Sequence, residues 1–464
     1  MIRRPRNRRY ALGLLVPLVL VACGTTPVQP VMPAPPEGWE YAGGQVPAAW
    51  PARTWWQAFG SAELDRLMVD AQRGNPDLGA AAARILQAEA QARIAGASLL
   101  PGVDASLDAG RSGIVDQGGG SASYGASLGA SYELDFWGAN RASREGARAA
   151  LLATAYDRET VALTLTAGVA STYLQVLSLQ ERLDIARLNL ELAEEILRVV
   201  ETRVRNGAGT PLDLARQRAV VARQRASVEP LRQQERDARA ALALLLGRTP
   251  QGFTVDGQLA GLDIPDVVAG LPSELLARRP DIRQQEARLR AADADIAVAR
   301  AAFFPAIRLT GAVGTRSDVF SELFNGDLLY NVGASLTQPL FNAGRLRAQR
   351  ELTEARRLEL VEHYRGAILQ AFADVDLALS SIETLAEQAY QQEIELAETR
   401  RAFTLAEARY REGADDLLSL LDAQQSLYQA EENNGLLRLG RMQAIVTLYR
   451  TLGGGWQEVS AAAP

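Results

Sequence analysis

The spacing of apolar residues along this chain switches from the helical period to the strand period and back again, and it does so twice. In residues 122–134, Tyr124, Ala126, Leu128, Ala130, Tyr132 and Leu134 alternate with Ser123, Gly125, Ser127, Gly129, Ser131 and Glu133. Ahead of them, Val103, Ala105, Leu107 and Ala109 alternate with Asp104, Ser106 and Asp108. The second occurrence sets Ile307, Leu309 and Val313 against Arg308 and Thr310, then Tyr330, Val332, Ala334 and Leu336 against Asn331, Gly333, Ser335 and Thr337. Gly118-Gly119-Gly120 and Asn325-Gly326 separate the members of each pair. Successive strand side chains point to opposite faces. These segments therefore predict four strands of about ten residues, each apolar on one face and polar on the other.

An internal duplication underlies the repetition. Asn75-Pro76-Asp77-Leu78 and Arg279-Pro280-Asp281-Ile282 lie 204 residues apart, and nine of the 26 positions from Pro76 and Pro280 onward are identical at that offset. Arg205-Asn206-Gly207-Ala208 answers Arg411-Glu412-Gly413-Ala414 at an offset of 206. Two similar halves follow, residues 61–250 and 271–452, with a linker at 251–270 and a tail at 453–464. Each half is predicted to run helix, strand, strand, very long helix, turn, long helix. No proline occurs between Pro101 and Pro211 or between Pro339 and Pro464, which leaves room for helices far longer than the usual, about 11–12 residues. Leu183, Ala186, Leu190, Ala193, Leu197, Val200 and Val204 step as a coiled-coil seam, and Ile185, Leu188, Leu192, Ile196 and Val199 form a second apolar row beside it. A helix with two seams has neighbours on both sides, as in a ring of helices. Pro230 falls within the returning helix of the first half and is expected to kink it.

None of the 49 basic side chains is a lysine, and the chain has one histidine, His363, and one cysteine, Cys23. No His/Cys set can hold zinc, and a nucleophile–histidine pair would have to run through His363, which sits in a polar helical stretch. No metal site and no cofactor is expected, and catalysis is disfavoured. Arg3, Arg4, Arg6, Arg8 and Arg9 precede an apolar stretch from Ala11 to Ala22, too short for a bilayer span of about 20 residues but suited to a secretory leader. Residues 1–22 read as a signal peptide, and Leu20-Val21-Ala22-Cys23 resembles a bacterial lipobox with Cys23 as the lipidated first residue. Losing the five leader arginines takes the formal net charge from −6 to −11. An acidic chain without a basic stripe is a poor nucleic-acid partner. Residues 23–60 carry seven prolines and predict an extended tether. No later apolar run reaches 18 residues, so any membrane crossing is expected to use strands, which cross lipid only as closed barrels. Four strands leave unpaired edges, so copies must pool them; three copies give twelve, an even antiparallel count within the range of about 8 to 26.

Several motifs follow one another in a telling order: Trp55-Trp56 with Phe59; Asn75-Pro76-Asp77-Leu78; Tyr132-Glu133-Leu134-Asp135-Phe136-Trp137-Gly138; and Leu245-Leu246-Gly247-Arg248-Thr249-Pro250. Then come Arg278-Arg279-Pro280-Asp281-Ile282, Pro339-Leu340-Phe341 with Gly344, Ala408-Arg409-Tyr410-Arg411-Glu412-Gly413, Leu420-Leu421-Asp422-Ala423-Gln424 and Leu452-Gly453-Gly454-Gly455-Trp456. Together they resemble the outer membrane factor (TolC-like) family, in its lipid-anchored NodT-type efflux branch, over essentially the whole mature chain. The resemblance implies an α+β membrane protein in which a homotrimer forms a 12-strand β-barrel continued by an α-helical periplasmic tunnel. It implies an exit channel of a tripartite efflux system in the outer membrane of a Gram-negative bacterium. The partners would be a periplasmic adaptor, an inner-membrane pump of the RND type and outer-membrane lipid. A protein-secretion duct of the same fold and a periplasmic coiled-coil scaffold without a pore are the alternatives.

The turns 206–211 and 412–416 should lie at the far end of the long helices from the strands and form the adaptor-docking tip. Gly207 and Gly413 read as left-handed helix C-caps, Thr210 as an N-cap before Pro211, and Asp415 as an N-cap, with Asp213 and Arg216 beside them. By the resemblance, Asp422 falls at the acidic ring of the gate and Leu418 at its apolar position, with Asp415 and Asp416 near the same constriction. Three carboxylates on one axis repel one another and attract cations. Ser419 and Gln425 stand where some relatives have charged residues.

Overall fold

The computed structural model describes residues 32–41, 50–115, 120–266, 269–270 and 272–456; the leader, Cys23 and Gly118-Gly119 lie outside the described residues. Helices α1 (Ala62–Gly74) and α2 (Pro76–Ala97) lead into strands β1 (Gly102–Gly113) and β2 (Gly120–Leu134), then α3 (Ala139–Arg205) and α4 (Pro211–Leu245). The second half repeats the order as α5 (Pro272–Arg278), α6 (Pro280–Ala301), β3 (Ala306–Ser317), β4 (Leu329–Thr337), α7 (Arg345–Arg411) and α8 (Leu417–Thr451). Equivalent helices have equal lengths: 22 residues for α2 and α6, 67 for α3 and α7, 35 for α4 and α8. A 67-residue helix is roughly 100 Å long at 1.5 Å per residue. The strands have 12, 15, 12 and 9 residues, so β2 outruns the expected ten because its ladder continues past Tyr124 through Gly120–Ser123.

All four strands form one antiparallel sheet in the order β1-β2-β3-β4. Leu128 lies opposite Ala105 on one side and Val313 on the other, and Val313 lies opposite Tyr330. Directly opposed residues share a face, so the register gathers the alternating apolar positions of the four strands on one surface, interrupted on β3 by Gly311, Thr315 and Ser317, and sets Asp104, Ser106, Ser127, Thr310 and Ser335 on the other. The outer edges, β1 and β4, have no strand partner among the described residues.

The main apolar core joins Trp55, Trp56, Phe59 and Leu64 to Tyr173, Leu174 and Leu177 of α3, Leu242 of α4, and Ile445 and Tyr449 of α8. Contrary to expectation, α3 does contain an 18-residue stretch long and apolar enough to cross a membrane. Its composition has another cause: α3 packs against α2, α4, α6 and α8, so Val169, Ala170, Tyr173, Leu174 and Val176 are fully buried within protein. Of the two predicted seams, Leu183, Ala186, Ala193 and Val200 are buried in the first and Ile196 in the second, whereas Leu188 is exposed. Helix α4 continues through Pro230 as a single helix.

The duplication extends to how each half closes. Gly247 follows α4 with φ +68° and packs so tightly that a Cβ there would lie 2.0 Å from the Gly74 carbonyl oxygen. Gly453 follows α8 with φ +89°, and its Cβ would lie 2.3 Å from the Arg278 carbonyl oxygen. Beside each glycine, the residue before the Pro-Asp pair reaches the returning helix: Asn75 Nδ2 donates to Leu245 O at 2.9 Å, and Arg279 Nη1 to Thr451 O at 3.4 Å. The tether residue Trp39 is held against the body of the protein. Trp39 is buried against Leu275, Ile282, Ile368 and Phe372, and its Nε1 donates to Gly270 O at 2.6 Å.

Candidate functional site

At the end of the long helices remote from the sheet, two αα-hairpins turn in the same way. Ala208 N donates to Arg203 O at 2.8 Å and Gly207 N to Val204 O at 3.1 Å; Ala414 N donates to Arg409 O at 2.8 Å and Gly413 N to Tyr410 O at 3.1 Å. These are the paired bonds of a Schellman motif, and the left-handed residues that permit them are Gly207 (φ +72°) and Gly413 (φ +76°). Thr210 caps α4 in a capping box with Asp213: Asp213 N donates to Thr210 Oγ1 at 3.1 Å and Thr210 N to Asp213 Oδ2 at 3.0 Å. The cap of α8 is Asp416, one residue later than expected; its Oδ1 accepts from Ser419 N at 3.0 Å. Asp415 instead takes Arg409 Nε at 3.1 Å, because the chain there has just left α7 and points its side chain back at that helix. Ser419, through its N–H and hydroxyl, holds the Asp416 carboxyl below its ordinary range, helped by Arg216.

Side chains missed in the sequence tie the two hairpins together. The Arg203 guanidinium lies 4.7 Å over the Tyr410 ring and donates to the Tyr410 carbonyl. Arg411 Nη2 donates to Glu195 of α3 and Glu407 of its own helix, both at 2.7 Å. Burial pushes the Tyr410 phenol above its ordinary range, with Asp213 acting the same way and Arg203 against it. Beneath these polar ties, Ile196, Val200, Phe403, Leu417 and Leu420 form one apolar cluster shared by both hairpins. The only available signal was Tyr410 itself, an aromatic in the last turn before a hairpin glycine.

Behind the tip, α3, α4 and α8 border a groove of about 770 Å³. Leu418 and Asp422 of α8 line it together with Arg216 and Arg223 of α4 and Arg182 of α3. Leu418 and Asp422 are both exposed, on the face of α8 opposite buried Leu420 and Gln424. Arg182 is engaged by Glu432, whereas no ion pair to Asp422 is found among the described residues. The floor is fixed by buried polar contacts: Gln424 Nε2 donates to Tyr428 Oη at 2.6 Å, and Tyr428 Oη donates to Asn189 O at 2.9 Å. Burial pushes the Tyr428 phenol well above its ordinary range, which keeps that proton on the oxygen. Gln217 Nε2 to Ala193 O and Gln392 Nε2 to Ala430 O join the remaining helix pairs in the same manner. His363 sits exposed on α7, 3.6 Å from Glu359. Among the described residues no group of His, Cys, Asp and Glu is arranged to hold a metal ion.

The model of the outer membrane efflux protein family matches residues 67–248 and 271–454, one match per half. The chain belongs to that family. It is 46% identical over 462 residues to the pyoverdine export outer membrane protein OpmQ of Pseudomonas putida, covering 97% of this chain and 98% of that one. It is 36% identical over 468 residues to outer membrane protein OprJ of Pseudomonas aeruginosa, covering 97% of each. The open-state MtrE outer membrane channel of Neisseria gonorrhoeae superposes with a TM-score of 0.84 at 31% identity, over 92% of this chain and 98% of that one.

As an outer membrane efflux protein of the Gram-negative envelope, the chain reads from one end to the other. The sheet and the two hairpins lie at opposite ends of α3 and α7, about 100 Å apart. The family is one of outer membrane efflux proteins, which are transport channels and not known enzymes.

Proposed function

We propose that three copies of this chain pool their sheets into a twelve-strand barrel and act as the passive exit duct of a tripartite efflux system. The observation that carries the reading is the sheet itself, four alternating strands whose edges β1 and β4 have no strand partner among the described residues. Because β1 and β4 run in opposite directions, β4 of one copy can join β1 of the next as an antiparallel pair. Closure removes the edges, as lipid requires. Two copies would give a barrel of about eight strands, which side chains fill; a duct needs more.

On this reading the hairpin tip, with Gly207, Thr210, Asp213, Arg216 and Gly413, receives a periplasmic adaptor coupled to an inner-membrane pump. That pump supplies the energy, and adaptor contacts shift the tip toward an open population. Asp422 and Leu418, with Asp415 and Asp416 nearby, form the constriction. Cys23 carries the lipid anchor. The cargo is a small molecule: the 46% identical relative is named for pyoverdine export, which favours this over protein secretion.

Single-channel conductance in planar bilayers tests the constriction. The wild-type duct is expected to conduct weakly, to prefer cations and to be blocked by multivalent cations from the tip side. Asp422→Ala should lose the block and most of the preference, while Asp213→Ala should keep both. Equal block in wild type and Asp422→Ala would remove Asp422 from the gate.

A further inference from the structure

The sheet's apolar face is uneven in height. On β2 it reaches Tyr124, which lies opposite Ser317 of β3. At that level β3 presents only Thr315 and Ser317 on the same face, while β4 begins lower, with Leu329 opposite Gly314. On the β3–β4 side, the strands alone leave the upper rim of the membrane face polar.

The connection between these strands, residues 318–328, has the composition to make up the difference. After Val319 N donates to Ser317 Oγ at 3.1 Å, the chain forms a 3-10 turn over Phe320–Glu322. Phe320 packs edge-on against Tyr124, ring centroids 5.4 Å apart at 68°, which brings the loop to the outward face of the sheet and not over the polar one. Leu323 is buried at 3% exposure and fastens the loop, while Val319, Phe320, Phe324 and Leu328 remain 54%, 69%, 76% and 71% exposed. The Thr315 hydroxyl, an outward position, is shielded from solvent without a hydrogen-bond partner. Four large apolar side chains exposed on one short segment are costly in water. Through its contact with Tyr124, Phe320 joins this segment to the apolar face of the sheet.

We propose that the β3–β4 loop lies in the outer leaflet, with Phe320, Phe324 and Leu328 against lipid acyl chains, completing the membrane face that β3 and β4 leave short. The inference rests on the reading of the apolar sheet face as the outer wall of a barrel. It makes the loop a depth anchor for the barrel, in the way interfacial aromatic residues fix membrane proteins.

The test uses the chain's single cysteine: with only Cys23 in the parent, the unmodified chain gives the labelling background. Spin labels go onto Phe324→Cys and Leu328→Cys, onto Leu128→Cys as the lipid-face reference and onto Ser127→Cys as the lumen reference. Each protein is reconstituted in phosphatidylethanolamine–phosphatidylglycerol vesicles and probed with oxygen and with a water-soluble nickel chelate. The expected result is that both loop labels behave like Leu128→Cys, with collisions favouring oxygen several-fold over the chelate. If Leu128→Cys favours oxygen but both loop labels follow Ser127→Cys, the loop stands in water or over the mouth, and the loop inference alone is overturned. If Leu128→Cys itself follows the chelate, the barrel reading fails and takes the loop with it.

Discussion

At the scale of single residues, the two kinds of glycine separate conformational from packing demands. Gly207 and Gly247 both hold left-handed backbone, but a Cβ at Gly207 meets nothing within 4 Å, whereas one at Gly247 collides with Gly74 O. Gly207→Ala should therefore cost only the left-handed penalty, about 1–2 kcal/mol. Gly247→Ala adds a backbone clash and should lower the melting temperature markedly more in paired thermal unfolding; equal losses would contradict this. Glu63 makes a second case. Its carboxylate accepts from Asp256 N at 3.0 Å, Gly257 N at 2.9 Å and Tyr173 Oη at 3.0 Å, clasping the linker to α1 and α3. Burial pushes the Tyr173 phenol up to about 12, with Glu63's charge acting the same way. Glu63→Ala strands those donors and should cost about 2 kcal/mol, read as faster proteolysis within 251–262.

Asp416 gives the pH dependence. Its carboxyl is held below the ordinary range in the folded tip, chiefly by Ser419, so its capping contribution is present above the usual aspartate range. That contribution is lost as pH falls through the depressed value. Hydrogen exchange at the Ser419 amide should accelerate on acidification in the wild type. Asp416→Asn, which still caps, should abolish the acid step, and its persistence in that variant would assign the step to another group.

At the scale of elements, most of the architecture was legible because physical demands on long elements repeat. A strand with lipid on one side and water on the other must alternate, so the strand and its two faces could be anticipated from Tyr124 to Leu134, while the pairing register could not. Proline is disfavoured inside helices, and its absence from the stretches that became the 67-residue α3 and α7 left room for them, although α4 runs through Pro230. The cap of α8 escaped by one position because Asp415 and Asp416 are chemically alike and only backbone direction separates them. The apolar window of α3 escaped because helical neighbours on several sides erase the period that identifies a surface helix. The ties Arg203–Tyr410 and Arg411–Glu195 join residues 207 and 216 apart, beyond any local pattern. The hairpin ends test the element view: Thr210→Ala removes one side of the capping box of α4 and should cost about 1 kcal/mol, confined to exchange in its first turn. Protection lost evenly along α4 would show that this helix melts as one unit.

At the scale of the whole molecule, duplication and assembly answer the same constraint. One half supplies two strands and one tall hairpin, which can neither close a sheet nor surround a lumen. Two halves in one chain still leave β1 and β4 without strand partners among the described residues, and the proposed pooling of copies satisfies those edges. The direct measurement is the electrophoretic and hydrodynamic mass of protein extracted from outer membranes in detergent, before and after boiling. The account predicts a heat-sensitive species of about three protomer masses that collapses to one on boiling. A monomer recovered without detergent from the soluble periplasmic fraction would contradict it.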